Sequence, residues 1–228
     1  MLEWSERILD TALAFDESTT KSLDIPRDNP IQQIVCEFFV VFVNGTSPVE
    51  TDDGLLEIIQ NVKLVTGAKD VKFSKSGRQW YYLEKDDMKS APYRTTFDTT
   101  NSATHTEKVV MVHHFQADPF DRQDFSALLP ANRFSSLVLS VQWATKDDVS
   151  TNITSITDAS SGVNVQIREV SGTVTTDKGE VDIGSVGFAD IREDAKVIAI
   201  PPNKTSFDTA TLKENITPSP ANILKKTI

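Results

Sequence analysis

Apolar side chains recur at alternate positions in several stretches of this chain, and a period of two predicts strands. The longest organised passage is 117–144. It opens as a polar loop punctuated by aspartates, crosses an apolar turn ending at Pro130, and becomes a strand. In that strand Leu137, Leu139, Val141 and Trp143 share one face, and Val138, Ser140 and Gln142 the other. In 31–44, Cys36, Phe38, Val40 and Phe42 alternate with Val35, Phe39, Val41 and Val43. Both faces are apolar, so this strand is expected to be covered twice, by the core and by a helix, an arm or a partner subunit. Asn44-Gly45 is expected to end it as a turn. Val62 and Leu64 match Val71 and Phe73 across a turn at 66–69, which predicts a hairpin. Further strands are expected at 106–116, at 163–174 and, after a turn at Lys178-Gly179, in short pieces around Val181, Ile183, Val186 and Phe188. A last core strand is expected at 195–200, stopped by Pro201-Pro202.

Helical spacing is scarcer. Residues 2–13 place Leu2, Ile8, Leu9, Ala12 and Leu13 near one face, with Glu3, Glu6, Arg7 and Asp10 turned away, which predicts an amphipathic helix. About three turns are marginal alone, so this helix must dock. Asp52 or Asp53 is placed to cap a second short helix through Gln60, with Leu55, Leu56, Ile58 and Ile59 inward. Ser76 and Gln79 have capping-box spacing and open a third, running to about Met88. Residues 14–30, with Pro26 and Pro30, read as a polar extended arm, and 147–162 as a polar surface loop. The pattern fades beyond 202. The expected layout is an N-terminal helix and arm at 1–30, an all-β barrel at 31–202 and an extended tail at 203–228.

The 228 residues, 39% apolar and 25% charged, can build a sizeable core. A net charge of −10 speaks against a sequence-independent grip on phosphates, so no direct nucleic acid binding is expected. The single cysteine, Cys36, lies in an apolar run and reads as a small buried hydrophobe. The start of the sequence lacks the pattern of a secretory signal, and the apolar run from Phe38 to Val43 is too short to span a bilayer. A soluble protein made in a cytoplasm is expected.

Candidate chemistry is sparse. His113 and His114 are adjacent and point to opposite faces of a strand, with His105 before its start, so no metal site is expected. There is no Gly-x-Ser-x-Gly and no phosphate-cradling glycine loop, and neither catalytic residues nor a cofactor are expected. Asp118, Asp121 and Asp124 are spaced by three, and hard cations favour carboxylate clusters, but these lack the alternate spacing and glycine turn of a calcium loop. They read as turn formers. Trp80, Tyr81 and Tyr82 offer a possible sugar platform, against packing of their helix on the barrel.

One resemblance gives these pieces a function. The two-sided strand is followed by Asp52-Asp-Gly-Leu-Leu-Glu-Ile-Ile-Gln-Asn-Val-Lys-Leu-Val-Thr-Gly-Ala-Lys-Asp70 and Gly77-Arg-Gln-Trp-Tyr-Tyr-Leu83. Then come Asp118-Pro-Phe-Asp121, Ser126-Ala-Leu-Leu-Pro-Ala131 and Phe134-Ser-Ser-Leu-Val-Leu-Ser-Val-Gln-Trp143. This order resembles a jelly-roll major capsid protein of the tectivirus and adenovirus lineage of membrane-containing icosahedral viruses. Most members carry two jelly rolls per chain, and the length here is most like the upright single jelly-roll, sphaerolipovirus-type branch. The resemblance implies a single eight-stranded jelly-roll barrel with short helices and extended terminal arms. It implies a location in the virion, and partners that are copies of itself, a second capsid protein and a nearby internal membrane. Subunit contacts would then fall on Leu2, Trp4, Ile8 and Leu9 and on Pro218, Pro220, Ile223 and Leu224. The rival readings are a β-sandwich carbohydrate- or cell-surface-binding module and, behind it, an enzyme of the cupin type.

Overall fold

The computed structural model describes residues 2–9, 13–67, 69–116, 118–121, 127–176 and 179–182. Along the chain the strands are β1 (Leu2–Ile8), β2 (Leu13–Ala14), β3 (Thr20–Asp24), β4 (Ile31–Glu50), β5 (Ile59–Thr66) and β6 (Val71–Lys75). Helix α1 (Gly77–Met88) follows, then β7 (Thr104–His114), β8 (Leu137–Trp143), β9 (Ser150–Ile156), β10 (Gly162–Thr176) and β11 (Gly179–Asp182). One antiparallel sheet runs β1-β10-β4-β7, with β2 and β11 also paired to β10 and β9 to β4. The second runs β3-β8-β5-β6. From β3 to β5, and again from β6 to β9, successive strands cross between sheets, with the β5–β6 hairpin at the centre of the wrap and β10 joining β9 in the first sheet. That alternation is how a jelly roll winds.

The two sheets close over one core. Ile34, Cys36, Phe38, Val40 and Phe42 of β4 meet Val62 and Leu64 of β5 and Leu137, Leu139, Val141 and Trp143 of β8. Val163, Val165 and Ile167 of β10 and Val109 and Met111 of β7 complete it. Burial pushes the Cys36 thiol up, so it stays protonated. The alternations in β4, β7, β8 and β10 and the β5–β6 hairpin therefore lie where the sequence pattern put them.

Several expectations change. Where a helix is expected over 2–13, Leu2–Ile8 is instead strand β1, paired along its length with β10 from Leu2↔Gly172 to Ile8↔Gln166, and 10–12 lie outside the described residues. The same residues also alternate with period two, and the edge of β10 supplies the partners a three-turn helix would lack. The arm expected at 14–30 contains β3, which pairs with β8, and it buries Phe15 and Ile25. The helix expected to reach Gln60 is a 3-10 turn at Gly54–Leu56, and β5 begins at Ile59. Its inward side chains Leu55, Leu56, Ile58 and Ile59 are all buried. Asn44-Gly45 does not end β4. The Asn44 amide bonds the carbonyls of Asp98 and Thr100 at 2.7 and 2.9 Å, and β4 continues through a shift in register to Glu50. The loop expected at 147–162 holds β9, which pairs with that extension. The pieces around Ile183, Val186 and Phe188, the strand at 195–200 and the tail at 203–228 lie outside the described residues.

Helix α1 starts as its sequence predicts. Ser76 Oγ accepts from Gln79 N, and Gln79 Oε1 accepts from Ser76 N. Its first residue, Gly77, is pressed on the 3-10 turn: a Cβ there would lie 2.4 Å from the Leu56 carbonyl oxygen. Gly77→Ala is expected to cost about 1–3 kcal/mol through this clash, read as a lower urea midpoint at unchanged slope.

Candidate assembly surface

Strand β1 is the exposed margin of the first sheet. Among the described residues only β10 pairs with it, so its second backbone edge has no strand beside it. The register Glu6↔Arg168 and Ile8↔Gln166 turns Trp4, Glu6 and Ile8 away from the core. Polar anchors hold the strand down. Arg168, itself buried, bonds Glu6 at 2.7 Å and lies 4.9 Å from the centre of the Trp4 ring, and Gln166 bonds the second Glu6 oxygen at 2.9 Å. Trp4 remains 38% and Ile8 69% exposed. Leu2 and Leu9 are half-buried. Four of the residues expected to make subunit contacts thus lie on or beside one edge strand. Pro218, Pro220, Ile223 and Leu224 lie outside the described residues.

A second apolar spot sits at the far margin of the molecule. Helix α1 covers the end of β7, where Trp80 Nε1 donates to Val112 O at 3.0 Å and Val112 N donates to Glu84 Oε2 at 2.7 Å. Arg78 ties the helix to the 3-10 turn through Asp53 and Glu57, at 2.7 and 2.9 Å. Tyr82 and Leu83 face outward from it, each about half exposed. Trp80 is 1% exposed, so Trp80, Tyr81 and Tyr82 do not form an open stacking platform. The ring that a carbohydrate reading most needs is spent on packing against Phe73.

The histidines are placed by packing. His105 lies between the rings of Phe42 and Phe97, and His113 packs on Phe73 with ring centres 4.3 Å apart. Among the described residues no three side chains of metal-binding type converge. Asp118 acts as a turn former, its Oδ1 accepting from Phe120 N at 2.9 Å, while Asp124 lies outside the described residues.

A cavity of about 450 Å³ opens between α1 and the end of β7. Lys75, Glu84, Asp87, His113, His114 and Gln116 line it, with Trp80, Asp118 and Phe120 at its walls. Burial lifts the Glu84 carboxyl to about 7; the Val112 N–H bond and Lys75 oppose that rise, and Asp87 adds to it. Burial lowers His114, and the Arg168 charge lowers it further. A carboxyl raised in the fold stabilises fully below its unfolded value of 4.5, and the contribution fades as pH rises through about 7. Glu84→Gln is therefore expected to gain on the natural protein by about 1–2 kcal/mol between pH 5 and 8, after allowing for solvent screening. Taking the difference of urea midpoints between the two proteins removes the His114 contribution, which runs in the opposite direction. No sequence spacing announces this cavity, because its groups come from β6, α1 and the end of β7.

The wrap of the two sheets defines the class of fold, a jelly roll as found in viral major capsid proteins. The crystal structure of the STIV major capsid protein matches with a TM-score of 0.58 at 17% identity, covering 73% of this chain and 48% of that one. The atomic structure of Sulfolobus turreted icosahedral virus matches at 0.57 and 16% identity, covering 73% and 45%. At these identities the likeness is one of fold, and this chain spans about half the length of each matched chain. No family model and no curated protein matches the sequence.

Proposed function

We propose that this chain is a viral major capsid protein that self-assembles into capsomers of an icosahedral, membrane-containing virion. The observation that carries the reading is the two-sheet fold, which matches the structure of a viral major capsid protein over 73% of the chain. In this reading the strands from β3 to β10 make one upright, eight-stranded jelly-roll barrel. Its role is structural, not enzymatic.

The surface supports the same reading. The β1 spot and the α1 spot differ and lie at opposite margins of the first sheet, where β1 and β7 are its outermost strands. Two unlike patches on one body make head-to-tail contacts, and such contacts close into rings when the rotation fits. In this arrangement Trp4 and Ile8 of one copy meet Tyr82 and Leu83 of the next, with Leu2 and Leu9 at the margin of the contact. The tail residues Pro218, Pro220, Ile223 and Leu224 add a reach to neighbours. A second capsid protein shares the lattice, the shell lies over the membrane, and synthesis precedes assembly in the host cytoplasm. Sedimentation velocity of the purified chain tests the self-association: species heavier than the 25.2 kDa monomer are expected to grow with concentration. A single monomer boundary throughout the accessible range overturns the reading.

A further inference from the structure

The cavity between α1 and β7 carries an inference that goes beyond assembly. Gln116 is 2% exposed and its amide orientation is fixed, because Nε2 donates to the carbonyls of Asp118 and Asp121 at 2.8 and 3.2 Å. Turning the amide over would set Oε1 against those two acceptors. Oε1 is therefore fixed as an acceptor, buried and with no hydrogen-bond partner, on a side chain that lines the cavity. His114 Nδ1 is buried without a partner at the same cavity. A lone buried acceptor is costly, and it is satisfied by a group that brings an N–H or O–H.

Charge narrows the choice of group. Among the described residues that line the space, Glu84, Asp87 and Asp118 are acidic and Lys75 carries an ammonium, whose Nζ lies 3.3 Å from His113 Nδ1. That balance disfavours an anion. A metal ion is disfavoured by geometry, since no three metal-binding side chains converge among the described residues. The volume of about 450 Å³ falls in the range of small-molecule sites and exceeds the need of a single water. Trp80 and Phe120 give aromatic walls, which suit a cation.

We propose that this cavity binds a primary-ammonium or guanidinium group, with Gln116 Oε1 accepting an N–H, Glu84 and Asp87 supplying the opposing charge, and Trp80 and Phe120 flanking the cation. The same chemistry comes from a free amine or from a lysine or arginine side chain of a bound partner.

The test is a titration of the ¹⁵N-labelled full chain at pH 8 with methylguanidinium, n-butylammonium and spermidine chlorides, at constant ionic strength. Tetramethylammonium, which has charge but no N–H, and sodium are the controls. The Gln116 side-chain amide and the Val112 amide, which donates to Glu84, are the reporters. The expected result is saturable shifts at both reporters with the N–H cations and none with the controls. Asp87→Asn together with Glu84→Gln is expected to weaken binding about tenfold. Asp87→Asn alone, at an exposed position, weakens it less and guards against a folding defect in the double variant. Thermal shift with the same cations gives a second readout that does not depend on particle size. Spermidine binding about tenfold tighter than n-butylammonium marks a free polyamine as the source, and equal binding marks a single side chain. The proposal is overturned by unsaturable shifts, by an equal response to tetramethylammonium, or by affinity unchanged in the double variant.

Discussion

Trp143→Ala is expected to remove about 3–5 kcal/mol of folding stability, against a typical total of about 5–15. Trp143 belongs to β8 in the second sheet and is fully buried. Its ring meets Phe38 of β4 in the first sheet edge-on at 5.9 Å, and Phe15 of the N-terminal segment at 5.2 Å. Three parts of the chain therefore lose a shared surface at once, and the gap lies where the sheets face each other. The indole Nε1 has no hydrogen-bond partner, so Trp143→Phe gives up volume without breaking a bond. That variant is expected to cost about 1–2 kcal/mol, because Phe keeps most of the contact area. Urea unfolding of both variants checks the ordering. A loss below about 1 kcal/mol for the alanine variant would show that the inter-sheet core does not depend on this ring.

Ile8→Asp is expected to weaken self-association at least about thirtyfold, the effect of losing one anchoring residue at the centre of an interface. Ile8 projects from β1 into a shallow surface depression beside Val35 and Glu37. A carboxylate there removes the apolar contact and sets a second negative charge near Glu37. The side chain is exposed in the single chain, so folding stability is expected to change by less than about 0.5 kcal/mol. Sedimentation at matched concentrations, paired with urea unfolding, separates the two effects. Association that survives Ile8→Asp unchanged would remove β1 from the interface.

Much of the core was legible because it obeys one period. The alternation Leu137, Leu139, Val141, Trp143 emerges as four buried side chains, and Ser76 with Gln79 forms the capping box its spacing announces. What the pattern missed was decided by tertiary pairing. In β1 the apolar side chains Leu2, Trp4 and Ile8 fit either period, and the edge of β10 selects the strand. In β9 only Ile153 enters the core, so Ser-Thr-Asn-Ile-Thr-Ser-Ile carries too little alternation to separate a strand from a loop. The exposed edge is half visible in sequence: Trp4 and Ile8 stand out as apolar residues near the start, yet their outward direction follows from register with Arg168 and Gln166. The cavity is the least legible feature. His113 and His114 point to opposite faces of an ideal strand, but the cavity opens at the end of β7, where both reach it.

Electron microscopy of the purified chain over a rising concentration series tests the capsid reading most directly. The account predicts rings of laterally joined barrels, or closed shells, that are lost in Ile8→Asp while the variant stays folded. Isolated monomers at every concentration, or rings that form equally well with Ile8→Asp, would contradict it.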